Sequence, residues 1–139
     1  MEAVVLLLAV AAPFILWPVE ILAPYPHIFE EFFKLALVLV ILNERGPAFR
    51  KITLGVNSGV LFALSESFLY FLNIFQVGQP SVFVQRLIFT IPLHTITIML
   101  MILPALKKKG LILVGLLFAV ALHYFYNLYI VKYLGAFIR

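Results

Sequence analysis

The 139-residue chain contains no cysteine, which removes disulfides, thiolate metal ligands and a cysteine nucleophile together. Aspartate is missing too, so the six acids are all glutamate. Charge is scarce: charged residues make up 12% of the chain and hydrophobic ones 65%, against roughly 25% and 45–50% in soluble domains. So few charges cannot cover a water-facing surface. A soluble fold and a disordered chain are excluded, and so is a nucleic-acid-binding domain, despite the net charge of +4. The sequence also lacks a GxxxxGK nucleotide loop, an HExxH pair, a serine hydrolase pattern and any internal repeat.

What it has is apolar length. Mean hydropathy is +1.15, and a bilayer span needs roughly 20 residues, so the chain holds about five spans in a single integral membrane domain, residues 1–139. The expected fold is an all-α, polytopic transmembrane bundle. Hydropathy and helix breakers place helices at about Glu2–Leu22, His27–Leu42, Ile52–Phe75, Ser81–Leu103 and Leu111–Tyr133. Ala23–Pro26, Asn43–Pro47, Gln76–Pro80 and Pro104–Gly110 separate them. The first run has no basic n-region, and it is expected to be a retained span rather than a signal peptide.

Arg45, Arg50 and Lys51 in the second connection, and Lys107, Lys108 and Lys109 in the fourth, lie on one side of a five-span chain. Basic residues concentrate on the cytoplasmic side. The N-terminus is therefore expected inside and the C-terminus outside, in a prokaryotic plasma membrane.

Ionisable groups within a bilayer cost at least about 2.5–3.5 kcal/mol each on insertion scales, so those present are informative. They are Glu30, Glu31 and Lys34 on the second helix, Glu66 on the third, Arg86 and His94 on the fourth, and His123 with Asn127 on the fifth. Glu20 and His27 fall at helix ends, where the lipid interface is the expected environment. At about 1.5 Å per residue, the polar groups of four helices fall in one outer slab of the membrane. They are expected to meet. Phase agrees: His123 and Asn127 share a face, as do Arg86, Thr90 and His94, and Lys34 lies within reach of either neighbouring glutamate. Gly59 and Ala63, small residues near Glu66, permit close helix approach.

Such a set supports two versions of one chemistry. A buried carboxylate can take a proton from water while histidine and asparagine stabilise an oxyanion. Alternatively, Glu66, His94 and His123 hold a zinc ion with an open fourth position, leaving Glu30 or Glu31 as general base. Both hydrolyse an amide inside the membrane.

Four motifs in order sharpen this reading: EExxK (Glu30, Glu31, Lys34), FAxxE (Phe62, Ala63, Glu66), a lone histidine on the fourth helix (His94) and HxxxN (His123, Asn127). Together they resemble the PrsW family of intramembrane proteases, itself similar to the CAAX prenyl proteases and bacteriocin-processing enzymes and more distantly to Aph-1. Glutamate at 66 and lysine at 34 favour PrsW over the CAAX branch. The resemblance implies a metal-dependent endopeptidase that cleaves membrane-embedded protein or peptide substrates, such as anti-sigma factors, in site-1-type proteolysis. Carried onto this chain, it implies that Glu30 or Glu31 activates the water. Glu66, His94 and His123 would bind metal (zinc) or polarise that water, Asn127 would stabilise the oxyanion, and Lys34 would set the charge of the glutamate pair, with Arg86 in support. Only one of two adjacent glutamates can face the site, and the family analogy favours Glu30. Ser67, where the family often has asparagine, and Tyr126, where tryptophan or phenylalanine is common, depart from its pattern. Two other functions fit a polar cluster in lipid: a proton- or cation-coupled transporter, and a noncatalytic scaffold like Aph-1. Lipid is a partner in every case, and the oligomeric state stays open.

Overall fold

In lipid no water competes for the backbone, so each apolar run closes its own hydrogen bonds as a helix. The computed structural model describes residues 2–76 and 80–133, and the side chains of 2–71, 81 and 83–129. Five helices follow in order: α1 (Glu2–Leu22), α2 (Pro26–Asn43), α3 (Ala48–Gln76), α4 (Pro80–Lys107) and α5 (Ile112–Tyr133), with a 3-10 turn at Lys109–Leu111. The fold is all-α, with no strand among the described residues. The centre of the turn expected at Gln76–Pro80 (77–79), the tail at 134–139 and the Lys132 side chain lie outside the description.

Four helices are long and apolar enough to cross a membrane, over Glu2–Leu22, Ala48–Phe71, Phe83–Lys107 and Lys109–Tyr129. The 18-residue α2 is not among them, because it carries Glu30, Glu31 and Lys34. It packs against all four others and turns those three side chains inward, where each is buried. Phe29, Phe32 and Leu39 occupy its outer face. Large apolar side chains such as Leu7, Phe68, Leu117 and Phe125 are likewise exposed, as befits an integral membrane protein whose solvent is hydrocarbon.

The interior has two halves. One is apolar, built from Val5, Val38, Ile41, Leu54, Met101, Ile102 and Leu116. It joins the start of α1, the end of α2, the start of α3, the end of α4 and the start of α5. The other half buries His27, Glu30, Glu31, Lys34, Glu66, Ser67, Thr90, His94, Thr97 and His123. The polar groups of α2 to α5 thus share one level of the bundle.

Two helix ends differ from the sequence expectation. α3 begins at Ala48 rather than near Ile52, because Pro47 sits just ahead of the first turn, where its missing N–H costs nothing, and its carbonyl accepts from the Arg50 N–H at 3.1 Å. α4 runs past Leu103 to Lys107. Pro104 deprives only the Leu100 carbonyl of its helical donor, and that oxygen lies against Gly115 of α5, where a Cβ would stand 2.1 Å from it. Gly59 does the same service between α3 and α4. A Cβ there would come within 2.6 Å of the Thr95 Cα, one residue from His94.

Candidate active site

Helix α2 positions its two glutamates differently, as a rotation of about 100° per residue requires. Glu31 points at its own helix neighbour and at α5. Lys34 Nζ donates to Glu31 Oε1 at 2.6 Å and to Thr97 Oγ1 of α4 at 3.2 Å, and both charged side chains are fully buried. His123 Nδ1 lies 2.7 Å from the same Oε1. An ionised carboxylate can only accept, so the ring nitrogen donates and the proton sits on Nδ1. The other ring nitrogen, Nε2, stands 3.9 Å from Glu30 Oε2. Glu30 is buried, and its Oε2 makes no hydrogen bond among the described residues.

The opposite wall comes from α3 and α4. Arg86 Nη2 donates to Glu66 Oε1 at 2.5 Å. The other oxygen, Oε2, is 2.6 Å from His94 Nε2. Both atoms are buried and neither has another polar partner among the described residues. His94 is fully buried and stacks on the ring of Phe62, with centroids 4.9 Å apart. That ring also lies 4.9 Å from Lys34 Nζ. One aromatic side chain therefore fixes a histidine by stacking and steadies a buried ammonium by its negative face. His94 and His123 meet edge to face at 5.4 Å.

Glu30, His94 and His123 each offer a donor atom, and these atoms all lie within 4.8 Å of one another. Oxygen and imidazole nitrogen are the donors that zinc and similar ions accept. Buried donors with no hydrogen-bond partner are costly in a dry interior unless something else satisfies them. Glu30 Oε2, Glu66 Oε2 and both nitrogens of His94 are in that condition. The residue set fits a divalent metal.

The structure thus brings together Glu30, Glu31, Lys34, Glu66, Arg86, His94 and His123. Asn127, one turn beyond His123, is half-buried and makes no side-chain hydrogen bond among the described residues. His27 differs from its expected place at the lipid interface. It is buried, with its ring 5.7 Å from those of both His123 and Tyr124. Its spacing of three and four residues before Glu30 and Glu31 was the available signal, since those intervals share a helix face. Glu20 is also drawn inward: Tyr70 Oη donates to its Oε2 at 3.3 Å. Nothing in the local sequence pairs residues 20 and 70.

Residues 16–138 match the sequence model of a family described as PrsW family intramembrane metalloprotease. No curated protein and no solved structure matches the chain.

Proposed function

The chain belongs to the PrsW family of intramembrane metalloproteases, and from that premise we propose that it hydrolyses a peptide bond of a membrane-embedded protein or peptide at the cluster of Glu30, His94 and His123. The observation that carries this reading is the burial of donor atoms from these three residues within 4.8 Å of one another.

In this proposal Glu30, His94 and His123 hold a divalent metal, with zinc the first candidate. Such an ion supplies Lewis acidity toward the scissile carbonyl and toward water. The rest falls to the chain itself. Glu31 fixes the tautomer and orientation of His123, the outer support that ligating imidazoles require, and Lys34 neutralises Glu31 so that it stays an acceptor. Glu66, tied by one oxygen to Arg86, turns the other toward His94, where it takes the proton of the attacking water and returns it to the leaving amine. Asn127, on the face of α5 that bears His123, donates to the carbonyl oxygen as it gains charge.

A second allocation exchanges the two carboxylates, with Glu66 as ligand and Glu30 as base. The 2.6 Å approach of Glu66 Oε2 to His94 Nε2 favours it. One pair of variants separates the two. The ligand, replaced by glutamine, loses metal and activity together; the base, so replaced, keeps metal and loses activity alone. The measurement is metal content by mass spectrometry on Glu30→Gln and Glu66→Gln protein in detergent, beside cleavage of a transmembrane peptide library. Absence of cleavage by the wild type, together with pH-driven flux in liposomes, would replace the protease reading with transport.

A further inference from the structure

Helix α1 contributes no donor to the cluster, yet its last turns are tied to it through a tyrosine that the proposed mechanism does not use. The Arg86 guanidinium carbon lies 4.0 Å from the centroid of the Tyr70 ring, while Nη2 of the same group donates to Glu66 Oε1. Tyr70 is itself fixed from α1: its hydroxyl donates to Glu20 Oε2, and Trp17 meets its ring edge-on at 5.8 Å. An arginine has many rotamers and five donors. One carboxylate oxygen does not select among them, whereas a carboxylate on one side and an aromatic face on the other do. The side chain is accordingly only 9% exposed.

We infer that Tyr70 is a positioning residue: its ring holds Arg86 so that Arg86 grips one oxygen of Glu66 and leaves the other turned to His94. The inference rests on the proposed protease reading for its consequence in catalysis, but its geometry can be tested without turnover. Trp17 is the only tryptophan in the chain and touches Tyr70, so its fluorescence reports on this assembly.

The test uses the 139-residue chain in detergent, with EDTA-treated protein for the optical arm. Arg86→Gln is expected to shift Trp17 emission and its quenching by acrylamide, because Tyr70 loses the cation on its face. Emission identical to wild type would overturn the inference. This arm decides even when no peptide is cleaved, a result that would count against the protease reading instead. Where a transmembrane peptide is cleaved, Tyr70→Leu is expected to lower kcat roughly ten- to a hundredfold, as loss of an outer support does, with KM unchanged. Tyr70→Phe keeps the aromatic face and is expected to restore the turnover that leucine loses. Equal turnover in the leucine and phenylalanine variants would reduce Tyr70 to a space-filling residue and sink the idea.

Discussion

His123 and Glu31 are joined by a buried contact of 2.7 Å between Nδ1 and Oε1, and that oxygen also accepts from Lys34. A lysine, a carboxylate and an imidazole from two helices are thus strung together with no water between them. The imidazole has one nitrogen committed to structure and one left for chemistry.

Removing only the carboxylate charge should be far worse than removing both charges. Glu31→Gln leaves the Lys34 ammonium buried without its counter-ion, a situation that typically costs about 3–5 kcal/mol. Replacing the pair together, Glu31→Gln with Lys34→Met, abolishes the buried charge and is expected to recover most of that loss. Thermal midpoints of the two variants in detergent decide the matter. Equal midpoints would mean that Lys34 finds water or lipid headgroups instead.

The contact of α3 with α4 at Gly59 predicts a graded response to size. A Cβ there meets the Thr95 Cα at 2.6 Å and the His94 carbonyl oxygen at 3.0 Å, both backbone atoms that cannot swing aside. Gly59→Ala should force the helices apart, lower stability by about 1–3 kcal/mol as overpacking does, and reduce metal retention because His94 moves with its backbone. Gly110→Ala is the control, since a Cβ at 110 meets nothing within 4 Å. Melting curves and metal content of the two proteins make the comparison.

Much of this was legible from sequence because lipid leaves few options. Apolar runs had to be helices, and the widely spaced Glu66, His94 and His123 had to be explained by meeting at one depth. A pairing of Lys34 with one of its two neighbouring glutamates was also within reach. Which donors converge was not. Glu30 and Glu66 look equivalent along the chain, and only the packing of α3 against α4 gives Arg86 to Glu66. The burial of His27 and the contact of Tyr70 with Glu20 depend on how α1 and α2 lean on the bundle, a tertiary fact with no local signature. Pro104 misled for the same reason: the carbonyl it frees is accommodated by a glycine on another helix.

The orientation we propose rests on charge and can be checked at one position. Lys107, Lys108 and Lys109 flank Gly110 in the connection from α4 to α5, and such clusters stay on the cytoplasmic side. A cysteine at Gly110, which is exposed, would be the only thiol in a chain without cysteine. It is expected to react with a membrane-impermeant maleimide in inverted vesicles and not in intact cells. Labelling of intact cells would invert the topology and move the polar half of the bundle to the cytoplasmic leaflet.

Asn127 offers the sharpest separation of catalysis from stability. Its side chain is half-buried and makes no hydrogen bond among the described residues, so truncation breaks no such bond, and Asn127→Ala should melt within about 0.5 kcal/mol of wild type, as substitutions away from structural features do. Metal content should likewise be unchanged, since Asn127 is a proposed donor in neither allocation and the grouped donor atoms are those of Glu30, His94 and His123. An amide that stabilises a developing oxyanion is worth roughly 10²–10³ in kcat, and that loss, with KM unaltered, is the expected outcome in a peptide cleavage assay. A variant that turns over at the wild-type rate would remove Asn127 from the mechanism and leave the oxyanion to the proposed metal.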